Sequence, residues 1–279
     1  MTRALTPTTL PEALSFLGED PSLVPMAGCT DLMVADPVER MELPGVLDLT
    51  RVEELRGIRR VKGALAIGAT TTFSEIGQSA DVRDLFPALA AAAGVIGGWQ
   101  IQNRATLGGN IANASPAGDS LPVLLVLDAT VVAVSTDGER RIPYTGFHVG
   151  YRQTALEPGE LIDRILLPIP APDSVQAFRK VGTREAQAIS KVVVAMLGRA
   201  EGGKIVDYRL AAGSVAPTPV RLTDVEDSIL GRNVGEETAS LAGRLARAAV
   251  KPIDDVRSTA TYRAFALERV VRRLTLQLI

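Results

Sequence analysis

Prolines at positions 168, 170 and 172 interrupt the chain within five residues. Each fixes φ at about −65° and lacks an amide hydrogen, so Pro168-Ile-Pro-Ala-Pro-Asp173 cannot continue a helix and favours an extended connector. Domains are therefore expected at 1–172 and 173–279, the first with subdomains at about 1–55 and 56–172. Of the 279 residues, 46% are hydrophobic, which supplies core material for both parts.

Patterning before the connector is mixed. Thr8–Gly18 reads as a helix and Leu23–Met26 as a short strand leading into Ala27-Gly-Cys-Thr-Asp31, with a helix expected after that loop. Strands are expected at Gly45–Leu49, Ile58–Val61 and Leu65–Ile67, the last two joined through Lys62-Gly63. Leu85–Ile96 reads as one buried helix ending at Gly97-Gly98. Asp137-Gly138 makes a hairpin of Val131–Thr136 and Arg140–Tyr144, because such a dipeptide accepts positive φ in the turn. Beyond the connector, strands at Ile189–Ala200 and Lys204–Val215 flank Gly202-Gly203, followed by helices at Gly235–Val250 and Thr259–Ile279. In the last helix Leu267, Val270, Val271, Leu274 and Leu278 form an apolar face, with Arg263, Arg269, Arg272 and Arg273 mostly opposite. This order predicts an α+β fold rather than a βαβ series.

Composition excludes several functions. Thirty Lys and Arg face 32 Asp and Glu, so the overall charge gives no reason to expect nucleic acid as a partner. One Cys, Cys29, cannot form an internal disulfide or a four-thiolate cluster, and one His, His148, cannot form a multi-histidine zinc site. His148 reads as a structural residue. The start of the chain lacks the apolar core of a signal peptide and no run approaches the ~20 apolar residues of a membrane span, so a cytoplasmic chain is expected.

Two glycine-containing loops carry the chemical signal. In Thr106-Leu-Gly-Gly-Asn-Ile-Ala-Asn-Ala-Ser-Pro-Ala-Gly-Asp119, the run from Leu107 through Gly108 and Gly109 to Asn110 is expected to form a nest of amides for a diphosphate. Thr106, Asn110, Asn113 and Ser115 add uncharged donors and acceptors, and Asp119 can accept from a sugar-type hydroxyl. Ala27, Gly28, Cys29, Thr30 and Asp31 form a second, weaker anion loop. Neither a G-x-G-x-x-G fingerprint, a phosphate-binding loop ending in Gly-Lys, nor a G-x-S-x-G elbow is found in the sequence, which argues against a Rossmann-type flavoprotein.

These residues resemble the FAD-binding subunits of molybdenum hydroxylases, as in the medium subunit of carbon monoxide dehydrogenase and the flavin domain of xanthine dehydrogenase. Four stretches carry the resemblance in order: Ala27-Gly-Cys-Thr-Asp-Leu32, Gln100–Asp119, Phe178–Ser190 and Pro252-Ile-Asp-Asp-Val-Arg-Ser-Thr-Ala-Thr-Tyr-Arg263. The resemblance implies the vanillyl-alcohol oxidase/p-cresol methylhydroxylase-type fold, with FAD held between two α+β subdomains and a C-terminal α+β domain following. It places Ala27–Asp31 and Thr106–Asn110 on the FAD pyrophosphate and ribityl chain. Asp119, Lys180 and Ile162 fall at further flavin-contacting positions, and a cation at Lys180 would favour the anionic reduced flavin.

Three positions depart from the family pattern. Cys29 stands where a second glycine is usual, and its effect depends on local φ: a negative value accommodates it, a positive one costs about 1–3 kcal/mol. Gln102 and Ala105 stand where arginine and glycine are frequent. The implied role is electron transfer, from a partner iron–sulfur subunit, in a complex with a molybdopterin-containing large subunit, to NAD, a quinone or oxygen. A heterotrimer dimerised to a hexamer is the implied assembly. A free-standing flavoenzyme and a scaffold that has lost FAD remain the alternatives.

Overall fold

The computed structural model describes residues 3–34, 36, 38 and 42–279. Strand β1 (Arg3–Leu5), helix α1 (Leu10–Glu19), β2 (Val24–Met26) and β3 (Gly45–Asp48) form a small unit whose strands lie in the order β1-β3-β2, all parallel. Its α1 connection is a helical crossover between parallel strands, a local βαβ feature that the α+β reading did not separate out. Thr9 caps α1, and Ala13 and Leu17 pack on Leu47, Leu49 and Leu55. The helix expected after Asp31 lies partly outside the described residues; Thr30–Val34 form turns.

The second unit is an antiparallel sheet in the order β4-β5-β10-β6-β7: β4 (Ile58–Val61), β5 (Ala64–Gly68), β6 (Thr130–Ser135), β7 (Gly138–Pro143) and β10 (Leu161–Pro168). Gly63 at φ 72° and Gly138 at φ 130° make its two hairpin turns. A small hairpin, β8 (His148–Gly150) with β9 (Gln153–Thr154), stands apart from it. Between β5 and β6 run α2 (Phe73–Gln78), α3 (Ala80–Leu85), α4 (Pro87–Ala93), α5 (Trp99–Gln102), α6 (Leu107–Asn113) and α7 (Leu121–Val126). The single helix expected at Leu85–Ile96 is thus broken: Phe86 is non-helical because Pro87 starts a new helix and disfavours the helical region in the residue before it.

The third unit is the antiparallel sheet β11 (Val175–Val181), β12 (Val192–Glu201), β13 (Lys204–Gly213) and β14 (Val220–Arg221), with α8 (Thr223–Ile229), α9 (Glu236–Ala249) and α10 (Ala260–Thr275). Gly202 and Gly203 both take positive φ in its main turn. Val192–Gly198 is buried throughout because the sheet is covered on both faces. Val194, Met196 and Leu210 pack with Leu267, Val271 and Leu274, whereas Ala195, Leu197 and Ala211 join the core containing all of α7 except Pro122. Arg263 departs from the expected solvent-facing stripe. It is 3% exposed and donates to the Lys191 and Ser214 carbonyls and to Asp255, so it pins α10 to the strand ends.

Among the described residues no helix is long and apolar enough to cross a membrane. His148 occupies a structural pocket: its Nε2 is 3.0 Å from the Tyr144 hydroxyl, and burial holds its pKa at about 4, below the ordinary 6.5. The fold therefore prefers neutral imidazole, and stability is lost as pH falls from about 6.5 towards 4. Urea unfolding of wild type against His148→Gln should show this loss only in wild type; parallel profiles would remove the assignment.

Candidate functional site

The two loops singled out in the sequence meet. After β2, Ala27–Asp31 turns away from its sheet, and Gly28 lies so close to the Arg104–Ala105 peptide that a Cβ there would stand 1.8 Å from the Arg104 oxygen. Only glycine permits this approach. Cys29 follows at φ 64°, the strained alternative left open by the sequence, at a cost of about 1–2 kcal/mol. The amides of Gly28, Cys29, Thr30 and Asp31 meet no acceptor among the described residues. A left-handed residue between neighbours of negative φ is an arrangement that turns successive amides towards a common anion.

Thr106–Asn110 corrects the expected amide nest. The run is the start of α6, capped by Thr106, and its first amides are already engaged. Leu107 donates to the Thr71 oxygen at 3.1 Å, Gly108 to Ala69 at 2.9 Å, Gly109 to the Thr106 hydroxyl at 3.1 Å and Asn110 to the Thr106 carbonyl at 3.0 Å. Glycine is needed at 108 because a Cβ would stand 2.6 Å from that of Ala69. The Arg104–Ala105 peptide just before this segment buttresses the first loop, and the unengaged amides are at Gly28–Asp31.

Past α6, side chains supply polarity. Asn110 Oδ1 accepts from Ser120 at 2.8 Å, and the Ser115 hydroxyl accepts from the Ala117 amide at 3.3 Å. Asn113 Oδ1 accepts from Arg152 at 3.0 Å, while the same Arg152 nitrogen lies 3.8 Å from Asp31. Arg152, on the turn between β8 and β9, was missed by sequence reasoning. Its only local signal was Gly150-Tyr-Arg152, a turn with no motif of its own.

At the other end, Lys180 on β11 reaches from the third unit to the helical segment between β5 and β6. Its Nζ donates to Asp119 Oδ2 at 2.6 Å and to the Val95 carbonyl at 2.9 Å, and both side chains are 8% exposed. Asp119 Oδ1 is buried without a partner among the described residues. Burial pushes the Asp119 carboxyl up to about 6 against the lowering pull of Lys180 and Ser190. Ser190 also joins the third unit to the residues after α6, donating to the Ala117 carbonyl at 3.1 Å beside Ser214. Ile162 is buried in β10 opposite Ala133, within the core of the larger sheet.

Uncharged amides at one end and a buried acid–lysine pair at the other suit a ligand with an anionic group and an extended polar chain. Asp119 Oδ1 specifically lacks a hydroxyl or N–H donor.

Residues 1–170 match the family described as the FAD binding domain in molybdopterin dehydrogenase, and residues 176–278 match the CO dehydrogenase flavoprotein C-terminal domain. The chain is 31% identical to the xanthine dehydrogenase FAD-binding subunit of Escherichia coli O157:H7, over 95% of this chain and 92% of the relative. It is 30% identical to the carbon monoxide dehydrogenase medium chain of Hydrogenophaga pseudoflava, over 96% and 93%. Among solved structures, carbon monoxide dehydrogenase from Hydrogenophaga pseudoflava lacking the Mo-pyranopterin moiety superposes with a TM-score of 0.92 at 29% identity, covering 98% of this chain and 95% of that one. Quinoline 2-oxidoreductase from Pseudomonas putida 86 also gives 0.92, at 27% identity, covering 100% and 96%.

Two outcomes follow from the geometry. Cys29→Gly should remove the left-handed penalty and raise the melting temperature by about 2 °C, whereas Cys29→Val should lower it; the reverse order would show that the turn is not left-handed. For Asp119, a folded pKa above the ordinary 3.8 means the folded chain holds that proton more tightly. Stability relative to Asp119→Asn should therefore fall as pH rises from about 4 to about 6 and then level off. Urea unfolding across that range reads the difference, and a flat or rising one excludes the raised acid.

Proposed function

The chain belongs to the molybdopterin-dehydrogenase FAD-binding family, the flavin subunits of the molybdenum hydroxylases, and on that premise we propose how its own residues hold the cofactor and what it works with. The chain is an oxidoreductase subunit whose cofactor is FAD, and its role is electron transfer. FAD supplies the redox chemistry that links one-electron iron–sulfur donors to a terminal acceptor. The protein binds, orients and tunes.

The amides of Gly28, Cys29, Thr30 and Asp31 receive the diphosphate, with Ala27 setting the entry to the turn. Leu107, Gly108 and Gly109 fix the start of α6 behind the Arg104–Ala105 peptide on which that turn rests, and Thr106, Asn110, Asn113 and Ser115 line the polar path. Asp119 accepts from a ribityl hydroxyl or a ring N–H. Lys180 brings a cation to the flavin end, where it favours the anionic reduced form. Ile162 backs the flavin end from the core. The observation that carries the reading is the unpartnered, buried Oδ1 of Asp119, held by Lys180 from the other domain. Division at the proline connector, with 1–172 binding FAD and 173–279 completing the flavin end, belongs to the same proposal.

An iron–sulfur subunit and a molybdopterin-containing large subunit are the partners, assembled as a heterotrimer that pairs into a hexamer in the cytoplasm. The acceptor is NAD, a quinone or oxygen. The relatives above bear subunit or chain names, which supports a partner-dependent role over a free-standing flavoenzyme.

The purified chain should titrate FAD with saturable fluorescence quenching and carry a flavin absorption spectrum. Its native complex should contain iron and molybdenum that the isolated chain lacks. No saturable FAD binding would overturn the cofactor assignment. A metal-free, flavin-containing homo-oligomer that turns over a substrate would replace the subunit reading.

A further inference from the structure

The FAD loop has a charge imbalance. Asp31 places a carboxylate beside the amides that receive an anion, and neither loop motif contributes a lysine. A diphosphate brings two further negative charges to the same turn. Amide dipoles alone then face both the ligand and Asp31, so a cation beside the loop decides whether the site is electrostatically complementary.

The structure sets Arg152 there. Its Nη1 spans Asn113 Oδ1 at 3.0 Å and Asp31 Oδ2 at 3.8 Å, bridging the end of α6 and the first loop. Its Nε and Nη2 have no acceptor among the described residues, so most of its five N–H donors are unspent. The side chain is 51% exposed, so those donors face solvent. Its backbone is held at φ 51°, a left-handed conformation for a residue with a Cβ. The hairpin carrying it is tied at its base by Ala155 N–H donating to the Phe147 carbonyl at 2.8 Å and by the Tyr144–His148 contact. A fixed base and a left-handed tip project one guanidinium onto the meeting point of the two motifs.

We infer that Arg152 is a cationic clamp on the diphosphate of the bound nucleotide, exchanging its Asp31 contact for phosphate oxygens when the ligand arrives. The inference rests on the FAD reading and adds a residue that neither loop motif contains. A planar guanidinium suits this task because it offers paired donors to phosphate. Arg104 is the rival cation: its peptide touches Gly28, but its side chain forms no ion pair or hydrogen bond among the described residues.

Three probes separate the possibilities: FAD, ADP, which keeps the diphosphate and lacks the flavin, and riboflavin, which lacks phosphate. Isothermal titration of the full chain should show Arg152→Ala weakening FAD and ADP by about tenfold or more, with riboflavin unchanged and Arg152→Lys intermediate. Arg104→Ala, a charge-matched control, should cost less. Unchanged FAD and ADP binding in Arg152→Ala overturns the clamp, as does an equal loss for riboflavin, which indicates a displaced hairpin, or an equal loss in Arg104→Ala, which indicates net charge alone. If wild type binds ADP but not FAD, the flavin reading falls while the diphosphate clamp stands.

Discussion

Backbone resting directly on backbone is the constraint from which the site follows. Gly28 sits against the Arg104 peptide and Gly108 against Ala69, both at distances that exclude even a methyl group. These contacts leave no layer of side chains between the first loop and the peptide leading into α6, or between α6 and the end of β5. The hydrogen bonds from Leu107 and Gly108 to Thr71 and Ala69 close the same junction from the other side. The amides left without acceptors are those of Gly28–Asp31, whereas the first amides of α6 are all engaged.

The second and third units meet through a shared core edged by polar contacts, among them Arg209 and Arg221 to Asp128 and Gln176 to the Leu85 carbonyl. Helix α7 is buried between the two larger sheets, and the inner face of the C-terminal sheet contributes Ala195, Leu197 and Ala211 to the same cluster. Burying Asp119 and Lys180 at the edge of that junction costs desolvation that their mutual bond offsets only in part, as the raised acid shows. An apolar pair would pack there at lower cost. The polar pair is the expected result where one acceptor atom is reserved for a ligand.

Local rules were legible where they act alone. Lys62-Gly63, Asp137-Gly138 and Gly202-Gly203 marked real turns because positive φ is a property of the dipeptide itself. Strands β1 and β10 escaped notice because their pairing depends on distant partners; β10 sits between β5 and β6, which lie on either side of six helices. The Thr106 run showed its residues but not its state, since glycine-rich sequence suggests a loop while a threonine cap and tertiary contacts make a helix. The φ of Cys29 and the burial of Arg263 are likewise set by surroundings. Arg152 could not be found from sequence, because its meaning lies in Asn113 and Asp31, residues 39 and 121 positions away.

The self-satisfied start of α6 also bears on the order of assembly. A glycine-rich phosphate loop whose amides wait for their ligand leaves a scaffold incomplete until the ligand arrives. Here the α6 side closes its own hydrogen bonds before any ligand binds, and only the Gly28–Asp31 turn keeps open amides, so most of the ordering cost at the site falls on folding rather than on binding. The fold on the α6 side therefore does not depend on the nucleotide, and loading the cofactor leaves only the first turn's amides to be satisfied.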